Sequence, residues 1–323
     1  MAEGTILPLV PLGASGIPVS VMALGSWRTF ERMPTERGQA VMRAARAAGI
    51  TFLDDARYND ETGTAPIPTG YSEVVFGELF RATGWHRDEV VVANKLWWEF
   101  WPGQTPSQEL AGSLGRMALD HVDLIYSDAP PDDVPLEEVV GMITGLIAEG
   151  KARAWGAFNW SPAQLEQAWQ IAERTGAAGP CATQPPYSLV RRDVAEDPEL
   201  VRVAAGCGIA VVASYTLAGG VLTGKYAAGP QAGRAAGQLD LPHYAVAAAA
   251  TRELAVLAAD VGCDLAQLAM AFVLLNPTVT ALLFGATSPE QVTANIGALA
   301  VAAALTPVDV DRLRAIGRPA SAC

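Results

Sequence analysis

The sequence predicts an α/β protein of the (β/α)8 TIM-barrel class, closed at one end by an N-terminal hairpin plug. Three observations lead there. Short β-rich apolar runs alternate with longer runs of helical periodicity, the order that parallel βαβ units impose. Eight such strand runs can be read, the number that closes a barrel. Most of them start about 30 residues apart, which accommodates one strand and one helix each.

The strand runs fall at 21–25, 51–54, 90–94, 122–127, 152–158, 182–184, 209–214 and 281–285. Helical periodicity fills 35–48, 72–82, 106–118, 136–149, 162–174, 195–205, 246–261 and 289–298. Ser161-Pro162 and Ser288-Pro289 mark two helix starts, a hydroxyl cap followed by proline in the first turn. Before residue 21 a loose alternation (Leu7, Leu9, a turn at Gly13 to Gly16, then Ile17 and Val19) reads as the hairpin. Pro8 and Pro18 confine its strands to edge positions. The spacing lengthens between the seventh and eighth strands, opening on a Gly/Ala-rich stretch at 217–237. A long loop after a barrel strand lies on the face where such barrels bind ligands.

The chain has 323 residues, more than the usual single core, which leaves two ordinary domains or one large barrel. No Pro/Ser tract divides it, so residues 1–323 read as a single domain. Half the residues are apolar and 17% are charged, which excludes a disordered chain. A net charge of -12 argues against a nucleic-acid partner or an acidic membrane surface. A phosphate-bearing ligand would therefore need a local basic cluster. Cys181, Cys207, Cys263 and Cys323 are dispersed, the pattern of reduced thiols. The start lacks a basic-then-apolar leader, and no apolar run reaches the roughly 18 residues of a membrane span. The expectation is a cytoplasmic protein with a small-molecule substrate, without membrane insertion; a homo-oligomer is left open.

Polar residues at strand C-terminal ends are the chemical candidates in such a barrel: Asp54, Asp55, Lys95, Ser127, Asp128, Asn159, Gln184 and Ser214. Asp54 and Lys95 both end apolar runs, so both point into a partly desolvated mouth. Two readings stand: a structural ion pair, or a pair that tunes a neighbouring acid. Trp97, Trp98, Phe100 and Trp101 follow Lys95 and suit either an apolar substrate wall or packing on the rim. Two other signals fail. The run from Gly219 to Lys225 resembles a phosphate loop, but Tyr226 stands where Ser or Thr must ligate magnesium. His86, His121 and His243 lack metal-ligand spacing, so no metal is expected.

The ordered landmarks carry a family resemblance. They are Gly25-Ser26-Trp27, the run from Gly49 to Asp54, Ser72-Glu73 through Gly77, the strand ending in Lys95, Asp123-Leu124, Trp155-Gly156, Gln184, the run from Leu222 to Tyr226, and Gly285-Ala286-Thr287 with Gln291 and Asn295. Over residues 7 to 299 the chain resembles the aldo-keto reductases, within them the branch of potassium-channel β-subunits. The resemblance implies NADP(H) across the barrel mouth and an Asp, Tyr, Lys and His tetrad around a substrate carbonyl. Asp54 and Lys95 match their tetrad positions. The expected Tyr position holds Asn59, with Tyr58 one residue early, and the expected His position holds Asp128. Asp55 replaces a usually small residue. Tyr58 or Asp128 is then the proton donor, since an amide does not titrate near neutral pH.

The implied cofactor-binding set is Ser26, Trp27, Asn159, Gln184, Tyr215, Leu217, Lys225, Arg234, Gly285, Thr287, Gln291 and Asn295. Within it a companion serine has become Phe158, the usual ring over the nicotinamide has become Ser214, and a glutamate near the adenine has become Ala294. Asp55, Asn59, Trp97 and Trp98 are the candidate substrate-binding residues. The function implied is an NADP(H)-binding oxidoreductase acting on a carbonyl-type small molecule with atypical acid–base residues. The alternatives are a non-redox enzyme that uses the Asp and Lys groups on the same fold, or a non-catalytic binding subunit.

Overall fold

A computed structural model describes residues 7–227 and 233–317. A two-stranded antiparallel hairpin comes first, β1 (Leu9–Pro11) and β2 (Pro18–Ser20), in register Val10 opposite Val19. Its turn runs through Gly13 at φ 53°, a backbone conformation that favours glycine. Ala14 N–H donates to the Gly208 carbonyl at 2.7 Å, which fastens the turn to the N-terminal end of the barrel. Leu12, Ile17 and Val19 then join Phe52, Val91, Leu124 and Val212 in one buried cluster. The plug is therefore part of the barrel's interior core.

Eight parallel strands close the barrel: β3 (Met22–Gly25), β4 (Phe52–Asp54), β5 (Val91–Leu96), β6 (Val122–Ser127), β7 (Ala152–Ala157), β8 (Ala182–Thr183), β9 (Ala210–Ala213) and β10 (Val279–Phe284). They pair in chain order, and β10 pairs with β3 to close the ring. Side chains alternate across each strand. The inward set is small and apolar, with Ala23, Ala93, Ala154, Ala182, Ala210 and Ala281 around Phe52 and Tyr126. The outward set, including Leu24, Leu53, Val92, Ile125 and Trp155, packs under the helices.

The helices are α1 (Thr35–Ala47), α2 (Tyr71–Ala82), α3 (Pro106–Met117), α4 (Leu136–Ala148), α5 (Pro162–Thr175), α6 (Pro198–Cys207), α7 (Pro242–Val261), α8 (Leu265–Leu274), α9 (Pro289–Ile296), α10 (Ala298–Ala304) and α11 (Pro307–Ala315). Ser161 and Ser288 cap α5 and α9, accepting from the amides of Gln164 and Gln291 at 3.2 and 3.4 Å. Among the described residues no single helix is long and apolar enough to cross a membrane.

Three expectations need correction. The helix at 195–205 starts at Pro198, because Asp197 caps it and Ala195 lies before the cap. The helix at 246–261 begins earlier, at Pro242 in its first turn. The helix at 289–298 ends at Ile296, and α10 follows at Ala298. Beyond these, α8, α10 and α11 were not foreseen. The sequence of α8, LAQLAMAFVL, is apolar nearly all round because it is buried, so it carries little 3.6-residue contrast. Residues 228–232 of the Gly/Ala-rich stretch lie outside the described residues.

Candidate active site

Strand alternation builds the mouth. Asp54 stands two residues beyond the inward Phe52, Lys95 two beyond Ala93, Asp128 two beyond Tyr126, and Gln184 two beyond Ala182. These polar ends crown the apolar interior. Lys95 Nζ donates to Asp54 Oδ1 at 2.7 Å, and Gln184 Nε2 donates to Asp54 Oδ2 at 2.9 Å. Lys95 is 3% exposed and Asp54 2%, so their mutual charge is screened little by water. Both Asp54 oxygens are thus occupied, and the remaining reach of the ammonium is toward Tyr58.

Tyr58 Oη lies 3.4 Å from Lys95 Nζ despite coming one residue early in its loop. Arg57, 5% exposed, holds this loop in place. Its Nη1 donates to Thr69 Oγ1 at 2.8 Å and its Nη2 to Glu99 Oε2 at 2.8 Å, while the guanidinium covers the Phe100 ring at 5.0 Å. Glu109, which Arg57 approaches at 3.5 Å, accepts the Trp97 amide at 2.9 Å. One buried cation therefore ties the Tyr58 loop to the tryptophan loop. Burial first, then the Asp54 carboxylate, push the Tyr58 phenol well above its ordinary value, while Arg234 pulls the other way.

Aromatic rings fence the ammonium. Tyr58 meets Trp97 edge-on at 6.0 Å, Trp97 meets Phe158 at 5.8 Å, and Phe158 stands 5.8 Å from Lys95 Nζ. Asp128 is half-buried and accepts from Asn159 Nδ2 and the Ala129 amide, each at 2.9 Å. Burial raises its carboxyl from the ordinary value, against those two hydrogen bonds and a smaller pull from Lys95.

Three candidates sit elsewhere. Asp55 is fully enclosed and turned to Ser26, not to Lys95. Its parity explains this, since it continues the outward row of Leu53. Asn59 is exposed on the rim, with its amide on Glu99 at 3.2 Å. Trp98 is 6% exposed and donates through Nε1 to Ser127 Oγ at 3.0 Å, so it forms the wall's backing.

Beside the mouth lie two basic side chains, Arg234 and Lys225. Arg234 lies over the Trp27 ring at 5.6 Å, donates to Thr29 Oγ1, and leaves no room for a Cβ at Gly285. Lys225 is exposed and covers the Tyr226 ring at 4.9 Å. Among the described residues neither cation has a carboxylate partner within an ion-pair distance. At the far end Gln291 Oε1 accepts the Thr287 amide at 2.8 Å, and Asn295 is buried at 5%. Two cations without a carboxylate partner, one of them packed against Gly285, fit the charge of a dinucleotide's phosphates. Leu217 and Tyr215 pack half-buried against the core, and the Tyr215 phenol is raised by burial and by its contact with Tyr244.

Backbone strain gathers on this face. Arg28, Trp98, Asn159, Tyr215 and Ala218 all have φ between 48° and 61°, and all follow barrel strands at their C-terminal ends. Each such non-glycine residue costs about 1–3 kcal/mol and persists where surrounding contacts over-determine it. Arg28 and Arg57 were missed in the sequence. The only signal was their position in strand-following loops, which is weak for an arginine.

Fold and mouth together define a (β/α)8 barrel protein with a lysine-centred acid–base cluster. The chain belongs to the Aldo/keto reductase family, which it matches over residues 21–318. It is 35% identical to a protein of Oryza sativa subsp. japonica named "Probable voltage-gated potassium channel subunit beta", with 94% of this chain and 95% of that protein covered. An Arabidopsis thaliana protein of the same name is 31% identical over the same shares. Members of the family generally use NAD(P)H.

Proposed function

We propose that this chain is an NADP(H)-dependent oxidoreductase that reduces or forms a carbonyl on a small molecule, with Tyr58 as its proton donor. The observation that carries the reading is the Asp54–Lys95–Tyr58 chain, 2.7 Å and 3.4 Å in its two links. NADP(H), when bound, supplies or accepts the hydride. Trp27, Lys225, Arg234, Gly285, Thr287, Gln291 and Asn295 would hold it, with Ser26, Asn159, Gln184, Tyr215 and Leu217 nearer the mouth.

This chain's own residues handle the proton. Tyr58 is neutral at rest, so it can donate to a carbonyl oxygen as negative charge develops there. Lys95 stabilises the phenolate left behind, and Asp54 fixes the ammonium. Gln184 occupies the second Asp54 oxygen, which keeps that carboxylate from competing for the proton. Asp128, whose carboxyl burial raises, faces the mouth where a histidine is absent and, in its protonated form, can hydrogen-bond the substrate oxygen. Trp97 and Phe158 exclude water and suit a ring-shaped substrate.

The test is NADPH oxidation, followed by absorbance, with a panel of aromatic and cyclic aldehydes and ketones. Tyr58→Phe is expected to lower kcat by about 100-fold or more while nucleotide affinity holds. Unchanged turnover in that variant removes Tyr58 from the role and points to Asp128, whose Asn variant would then be the inactive one. Tight nucleotide binding without oxidation by any carbonyl overturns the redox reading.

A further inference from the structure

Among the described residues Asp55 is the one fully buried carboxyl without a cation. Its Oδ1 contacts Ser26 Oγ, its backbone amide donates to the Ala93 carbonyl at 3.1 Å, and its Oδ2 is enclosed with no hydrogen-bond partner. The surrounding charges are all committed elsewhere. On β4, Asp54 is paired with Lys95 of β5. On α2, Glu73 is fully buried and held by Arg116 of α3 at 2.6 Å and by Asn94 Nδ2 at 2.9 Å. Tyr58, in the loop that follows Asp55, carries no charge at rest. Among the described residues no Lys, Arg or His pairs with Asp55.

An ionised carboxylate spreads its charge over both oxygens and requires both to be solvated or bonded. A neutral acid does not: its O–H finds Ser26, and the other oxygen is only a carbonyl, the cheaper group to leave without a partner. We propose that Asp55 is held as the neutral carboxylic acid, donating its proton to Ser26 Oγ, and so acts as a positioning residue for the loop that opens the mouth.

Two consequences follow. With Asp55 neutral, Asp54 is the one fully buried carboxylate that opposes the Lys95 ammonium, so the cation retains its influence on Tyr58; a second carboxylate charge beside Asp54 would weaken it. The Ser26 hydroxyl, as acceptor of the Asp55 proton, keeps its own hydrogen free. That hydrogen is available to a bound nucleotide, a use that rests on the function proposed above. Burial, reinforced by Glu73 and Asp54 and opposed by the Ser26 hydroxyl and the Ala56 amide, moves the Asp55 carboxyl in the same direction, well above its ordinary value.

Linkage fixes the sign of the pH effect. A carboxyl raised on folding makes the folded state bind a proton that the unfolded chain has lost. The native state is favoured most below the unfolded value near 4, and stability falls as pH rises from there through the folded value. Asp55→Asn, which mimics the neutral acid, removes this fall.

Infrared difference spectra of the intact protein, with Asp128→Asn as control, read the proton directly. A carboxylic-acid carbonyl band at neutral pH that is lost in Asp55→Asn and shifted in Ser26→Ala is the expected result. A band absent from the wild type, retained in Asp55→Asn, or unmoved in Ser26→Ala overturns the assignment. Melting temperatures provide a second readout: the Asp55→Asn variant should gain on the wild type as pH rises from about 5 to 9, and a constant difference overturns the proposal. Neither measurement needs nucleotide or turnover, so failure of the redox reading is separable from failure of this one. Nucleotide affinity should weaken above the pH at which the band vanishes, in the wild type only. Affinity flat with pH in both proteins overturns the link to the mouth.

Discussion

The ion pair of Lys95 and Asp54 is nearly dry, so its two charges are worth most to each other and most costly when parted. Lys95→Ala strands a buried carboxylate, and the expected loss of stability is about 3–5 kcal/mol. Lys95→Met combined with Asp54→Asn should recover most of that loss in urea unfolding while remaining inactive. If the single variant unfolds at the wild-type midpoint, the pair is more hydrated than its 3% and 2% exposures indicate. At this scale the sequence was partly legible. Strand ends named Asp54, Lys95, Gln184 and Asp128, because every second residue beyond an inward apolar side chain must face the mouth. It could not choose between Tyr58 and Asn59, since one residue of loop slack changes which side chain points inward. Nor did it separate Asp54 from Asp55: only the register of a three-residue strand sends one to Lys95 and the other to Ser26.

Among the elements, the loops after β4 and β5 behave as one unit because Arg57 joins them. Arg57→Ala should therefore disturb both Tyr58 and Trp97, raising KM for ring-shaped carbonyls and lowering kcat, while nucleotide affinity is unchanged. Arg57→Lys should rescue only part of this, since an ammonium cannot span Thr69 and Glu99 with a planar fork. Equal kinetics in wild type and Arg57→Ala would show that the loops hold their places without the cation. Helices with one apolar stripe and a cap, such as α3 and α5, were legible from periodicity. The buried α8 was not, because an element covered by the barrel, α7 and α10 needs no polar face to announce its period.

For the molecule as a whole, the plug makes the barrel's interior one continuous core from Leu12 to Tyr126. Gly13 is its tightest point: a Cβ there would lie 2.1 Å from the Cys181 carbonyl oxygen and 2.4 Å from that of Gly208, at positive φ. Gly13→Ala is expected to cost about 2–4 kcal/mol by forcing the turn off the strand ends. Chemical denaturation reads this directly, and a shift below about 1 kcal/mol would mean that the turn relaxes without losing the core. Nucleotide affinity should be untouched, because the mouth lies at the opposite end of the strands.

The sequence by itself determined the barrel, its strand count and the chain order of its elements. These depend on local apolar periodicity and on spacing along the chain, and both are written residue by residue. Tertiary structure alone decided what each polar group meets. It brought Tyr58 to Lys95, buried Asp55 against Ser26, and set Arg57 between two loops. Those contacts join residues from separate loops and strands and depend on ångström-scale register, which no linear pattern encodes.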